Sequence, residues 1–124
     1  MNKHYLVETK IERFKIMLKA KLSGEKGVIE EWFCFDTGSD VLVAPVEALK
    51  KIGAKKIKSV TVEGFGEKIE GDLYSVVVEC GGVKIEGIEA YASNKKNYLI
   101  GMNFIMWGKL GFCFDRQQII WIEE

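Results

Sequence analysis

The sequence predicts an all-β fold with one or two short helices, its strands forming a closed or folded-over sheet. Three observations carry that prediction. There is a single proline in 124 residues, there are 13 glycines, and β-branched and aromatic residues recur in short alternating runs. Many short strands joined by tight glycine turns are the economical way to bury such runs. The length suits one domain, residues 1–124, with a real core. Hydrophobic residues make up 48% and charged residues 29%, ordinary for a soluble globular protein and too apolar for a disordered one.

Taken in order, residues 9–22 alternate as in Phe14-Lys15-Ile16-Met17-Leu18-Lys19-Ala20-Lys21-Leu22 and read as one strand. Residues 23–27 are a turn, and residues 29–35 a second strand apolar enough to be buried. Val41-Leu42-Val43-Ala44 continues extended. Pro45 then sits where a first helical turn accepts it, and residues 46–52 place Val46, Leu49 and Ile52 on one helical face before Gly53. Residues 57–63 and 68–80 are two strands about Gly64-Phe65-Gly66, a hairpin by its local signals. Gly81-Gly82 turns the chain, residues 84–92 form another strand, and residues 93–97 are a polar loop. Asn103 is placed to cap a short helix through Trp107, ended by Gly108 and Gly111. Residues 110–114 and 119–122 form a last hairpin across Asp115-Arg116-Gln117-Gln118. Trp32, Trp107 and Trp121 read as core or interface anchors.

Charge and rare residues exclude several chemistries. Eighteen basic residues balance 18 acidic ones, which argues against a nucleic-acid binder with a basic face. No run approaches the roughly 18 apolar residues of a membrane-spanning helix. The segment Met1-Asn2-Lys3-His4-Tyr5 lacks a signal-peptide character, so a cytoplasmic location is expected, with neither membrane nor nucleic acid as partner. Cys34, Cys80 and Cys113 lie far apart in apolar stretches and read as buried reduced thiols. No CxxC or HxxxH spacing occurs, so no metal is expected. His4 is the sole histidine, which makes a Ser-His or Cys-His pair improbable and leaves carboxylates, hydroxyls and lysines to do any chemistry.

One motif stands out on that background. Phe35-Asp36-Thr37-Gly38-Ser39 puts a carboxylate at the end of an apolar strand, where it is costly unless hydrogen-bonded or paired. Thr37, Ser39 and the side-chain-free Gly38 supply hydroxyls and room for another chain. An Asx or ST turn between strands accounts for the same residues without any activity.

The wider pattern resembles the single-lobe, retropepsin-like aspartic proteases. Asp36-Thr37-Gly38-Ser39 is similar to their active-site loop. Leu99-Ile100-Gly101 is similar to the motif that crosses behind that loop, with Asn103 and its helical turn following. Val62-Glu63-Gly64-Phe65-Gly66 stands where the family carries its flap. The resemblance covers about residues 14–114, with a C-terminal hairpin over 110–122. It implies the acid-protease closed β-barrel lobe and hydrolysis of peptide bonds by a water held between two carboxylates, without metal or cofactor. Asp36 is then catalytic, with Thr37, Gly38 and Ser39 supporting the loop. Thr37 bonds across a two-fold axis, the Gly38 carbonyl meets substrate, and Ser39 bonds the outer carboxylate oxygen. Asp40, Gly64, Phe65 and Gly66 are further substrate-binding candidates, and Phe65 is either a substrate cover or a turn hydrophobe.

Only Asp36, Asp40, Asp72 and Asp115 are available and no second Asp-Thr-Gly occurs, so the partner carboxylate is expected from Asp36 of a second protomer in an isologous homodimer. Two features depart from the viral members. Met102 stands where they carry an arginine that pairs with the acid matching Asp40, and the terminal hairpin through Trp121 is an extension. The competing expectation is a protease-like dimeric module that binds extended peptides by strand addition without cleaving them.

Overall fold

The computed structural model describes residues 2–64 and 66–124, with side chains at all of these except 62–64 and 67. In chain order the elements are β1 (Lys3–Leu6), β2 (Thr9–Glu12), β3 (Lys15–Ser23), β4 (Val28–Phe35), β5 (Leu42–Pro45), α1 (Val46–Lys51), β6 (Lys55–Gly64), β7 (Glu67–Cys80), β8 (Val83–Ser93), β9 (Leu99–Ile100), α2 (Met102–Gly108), β10 (Gly111–Asp115) and β11 (Gln118–Glu123). The molecule is mostly strand with two short helices, the class the sequence predicts.

Strands β3, β4, β9, β5, β8 and β7 pair in that order, and β7 returns to β3 through Ala20↔Cys80 to Ser23↔Val77. The strands therefore form a ring. Its interior is filled by alternate residues: Leu18, Ala20 and Leu22 of β3, Phe33 of β4, Leu42 and Ala44 of β5, and Val76 and Val78 of β7 are all buried. Burying each of the larger side chains contributes about 1.5–3 kcal/mol. Ile100, Ile88 and Leu49 complete this core. β2 pairs with the first half of β3, and β6 hangs on the outer edge of β7.

A second sheet, β1-β11-β10, closes one end of the ring. Trp121 is its plug: fully buried, it packs its ring against Phe104 and Phe35, and its Nε1–H donates to the Cys80 carbonyl at 3.0 Å. A buried indole N–H needs such a partner.

Several sequence expectations change here. Residues 9–22 are not one strand but the β2–β3 hairpin, folded at Arg13 (φ 49°) and Phe14 (φ 65°). Neither residue is a usual occupant of the left-handed region. Asn103 does not cap α2, whose N-cap is Gly101. At the other end the left-handed C-cap is Lys109 (φ 52°), with Gly108 still helical. Of the cysteines only Cys80 is buried; Cys34 is half-buried and Cys113 exposed. Trp107 is exposed on α2, so of the three tryptophans only Trp121 lies fully in the core.

Candidate active site

The site is organised by β9, a two-residue strand that lies parallel to β4 and antiparallel to β5. Residues 36–41 must therefore leave β4, pass over the end of β9 and enter β5 on its far side. Backbone bonds fix the crossing. The Asp36 amide donates to the Ile100 carbonyl at 3.0 Å, the Met102 amide to Ser39 at 2.8 Å and the Asn103 amide to Asp40 at 3.0 Å. The first amides of α2 thus find acceptors in the loop, which satisfies groups that a helix start leaves open.

Gly101 lies directly under the loop. A Cβ there would stand 2.5 Å from the Val41 carbonyl oxygen and 2.6 Å from that of Ser39, so no other residue fits without moving backbone. Asn103 braces the exit. Its Oδ1 accepts the Leu42 amide at 2.9 Å and its Nδ2 donates to the Glu89 carbonyl at 2.8 Å, linking β5 to β8.

Asp36 is half-buried, and its Oδ1 accepts the Gly38 amide at 2.9 Å. Thr37, Gly38 and Asp40 are exposed. The expected bond from Ser39 to the carboxylate is not made: the Ser39 hydroxyl donates to the Val41 carbonyl at 2.8 Å, where the chain bends into β5. Among the described residues Asp40 has no ion pair, in keeping with Met102 at the position where the viral members carry an arginine; the Met102 side chain packs on the core.

Asp36 opens into a groove of about 540 Å³. Met17, Trp32, Cys34, Tyr98 and Leu99 form its floor, and Arg13, Lys15 and Lys96 stand around it. The Cys34 thiol is held above its ordinary range by burial, then by the neighbouring negative charge of Asp36, with Lys15 opposing. It therefore stays protonated near neutrality and is a poor nucleophile.

The β6–β7 hairpin projects beyond the ring. From Leu73 onward β7 is paired with β8, whereas Lys68–Asp72 pair with β6 alone. Near the tip Gly64 is in register with Glu67, and Gly66 takes φ +78°. Phe65 lies outside the described residues. At the hairpin's base Gly71 faces the Tyr91 ring so closely that a Cβ would come within the ring's contact distance. A second cavity of about 480 Å³ lies there, between Ile69 and Asp72 of the hairpin and Tyr91 and Ser93 of β8. The structure thus joins Asp36, Thr37, Gly38, Ser39 and Asp40 to Leu99, Ile100 and Gly101. Sequence reasoning missed the bracing role of Asn103 and the groove residues Arg13, Lys15 and Lys96. The misread turn at Arg13-Phe14 hid the former two cations, while Lys96 carried no signal beyond a polar loop.

The chain is similar to solved structures of known proteins. A retropepsin-like aspartic protease from Rickettsia conorii superposes with a TM-score of 0.69 at 16% identity, covering 99% of this chain and 92% of that one. The simian foamy virus (mac) protease gives 0.56 at 20% identity, covering 73% of this chain and 92% of that one. These likenesses concern the fold. No match was found among curated proteins. A family model described as aspartyl protease matches residues 18–104, a span that takes in the Asp36 loop, the projecting hairpin and Leu99-Ile100-Gly101. By that match over more than half its length, on a fold shared with retropepsin-like enzymes, this chain belongs to the aspartyl protease family.

Proposed function

We propose that the chain is an aspartic endopeptidase in which two Asp36 carboxylates, one from each protomer of a homodimer, activate a water that attacks the peptide bond. The observation that carries this reading is the placement of Asp36: one carboxylate, held by the Gly38 amide, at the mouth of a groove, on a loop locked from behind by Gly101. Like charges a few ångströms apart do not both ionise, so such a dyad shares one proton. The ionised member takes a proton from water as the oxygen attacks the carbonyl carbon, and the protonated member donates to the carbonyl oxygen. The proton on the first carboxyl then passes to the leaving amine as the C–N bond breaks, and the second carboxylate takes back a hydroxyl proton of the diol as the carbonyl re-forms. The pair titrates as a unit, giving a bell-shaped pH–rate profile.

Dimerisation finds support beside the loop. Phe35, the residue before Asp36, stacks edge-on against Phe112 of β10 with centroids 5.1 Å apart. β10 is an edge strand, paired with β11 alone among the described residues, and it carries half-exposed Phe112 and Phe114 on one face. An open apolar edge of this kind is a ready template for a second copy. The test is cleavage of unstructured peptides by the purified chain. Asp36→Asn should abolish it while the circular dichroism spectrum and melting temperature hold; cleavage that survives the substitution overturns the assignment.

A further inference from the structure

We propose that the groove beside Asp36 selects substrates with a carboxylate side chain close to the scissile bond, glutamate above all, and that Arg13, Lys15 and Lys96 are the selecting residues. The inference rests on the protease reading above and adds the substrate class. The groove has two chemically distinct parts. Its floor, Met17, Trp32, Tyr98 and Leu99, is largely apolar and suits an aliphatic stem. Its exposed residues are mainly cationic: Arg13 lies in the β2–β3 turn, Lys15 opens β3, and Lys96 comes from the loop before β9.

These three side chains are exposed, and none forms an ion pair among the described residues. The two carboxylates in the lining do not cancel them. Glu12 is already matched by Lys10 at 3.3 Å, and the single carboxylate of Asp36 faces three cations, Arg13, Lys15 and Lys96. The Lys19 Nζ adds a further positive charge 5.0 Å from the Trp32 ring centroid. A glutamate side chain matches both parts, laying two methylenes on the floor and its charge among the cations. Aspartate is a methylene shorter, glutamine lacks the charge, and lysine is repelled.

The experiment uses the whole 124-residue chain and a synthetic pool of unstructured decapeptides. The peptides are identical except for Glu, Gln, Leu or Lys at each position flanking the central bond, and products are read by mass spectrometry. Glu peptides should be cut faster than their Gln isosteres at one or more positions, and about tenfold faster than Lys peptides, the scale expected when several exposed cations act on one anion. Raising NaCl to about 0.5 M should erode the Glu-over-Gln ratio in the wild-type protein, because the Debye length shortens. Lys15→Glu and Lys96→Glu should each lower that ratio. Gln peptides cut as fast as Glu peptides, or a ratio unmoved by both salt and substitution, overturns the inference and leaves the protease reading standing. If no peptide is cut, the protease reading falls and fluorescence anisotropy of labelled Glu and Gln peptides decides: tighter binding of Glu supports the inference, and equal or undetectable binding overturns it.

Discussion

The Ser39 carbonyl oxygen sits 2.6 Å from the point where a side chain on Gly101 would begin. The glycine that precedes α2 and the loop that carries Asp36 are therefore one close-packed unit, and the loop's position depends on an absent methyl group. Gly101→Ala must displace backbone, because both nearest obstacles are carbonyl oxygens of residues 39 and 41. Overpacking against backbone places the expected cost at about 2–4 kcal/mol. A urea midpoint lowered accordingly, with cleavage lost in parallel, is the expected outcome; an unchanged midpoint would show that the loop yields freely.

Asn103 offers a gentler test of the same unit. Truncation in Asn103→Ala leaves the Leu42 amide and the Glu89 carbonyl without their side-chain partner. Half-buried polar groups so deprived cost about 1–3 kcal/mol, less where water replaces the lost bond. The melting temperature should fall by several degrees, on the scale of about 4–8 °C per kcal/mol for a domain somewhat smaller than this one. Retention of the wild-type melting temperature would show that the β5–β8 link carries no stability.

The parts of this site that were legible in the sequence are those whose chemistry allows few substitutes. Asp36-Thr37-Gly38 announces itself because a carboxylate at a strand end needs donors, and Leu99-Ile100-Gly101 because an apolar pair is followed by a residue without Cβ. The β2–β3 turn was illegible for the opposite reason. Arg13 and Phe14 occupy left-handed conformations usually given to Asn and Gly, and their alternation continues the strand pattern on either side. Ser39 was assigned to the carboxylate by resemblance, whereas the Val41 carbonyl two residues away captures its hydroxyl. The groove's cations were invisible because residues 13, 15 and 96 meet only through the fold.

The cysteines predict a graded reactivity. Burial pushes the Cys80 thiol up from 9.0 to about 12, and its Sγ points to the Lys19 carbonyl at 3.6 Å. In the native protein at pH 8, a thiol reagent should modify exposed Cys113 first, Cys34 slowly, and Cys80 only on unfolding. The same shift sets a sign for alkaline stability. Between the unfolded value near 9 and the folded value near 12 the unfolded chain releases the Cys80 proton and the folded chain keeps it. Stability is therefore full below pH 9 and declines as pH rises through that window, by up to about 1.4 kcal/mol per pH unit from this group. Cys80→Ala should flatten the decline in urea midpoints measured from pH 8.5 to 10.5, and an equally steep decline in the variant would assign it to other groups.

Assembly is tested at the β10 edge. Phe112 is a poor choice for substitution because it packs on both Phe35 and Trp121, so its loss would perturb the loop within one chain. Phe114 lies two residues further on the same strand, is 49% exposed, and makes no ring contact among the described residues. A lysine there places charge on an otherwise apolar edge, the device by which natural edge strands resist pairing. If two β10 edges meet in the homodimer, Phe114→Lys should shift the solution mass at micromolar concentration from two chains to one. Peptide cleavage should be lost in the same concentration range, while the melting curve of the single chain keeps its cooperativity. Recovery of cleavage as the protein is concentrated would tie activity to association, since each chain supplies one Asp36. A wild-type protein that is active as a strict single chain would remove the need for a second Asp36.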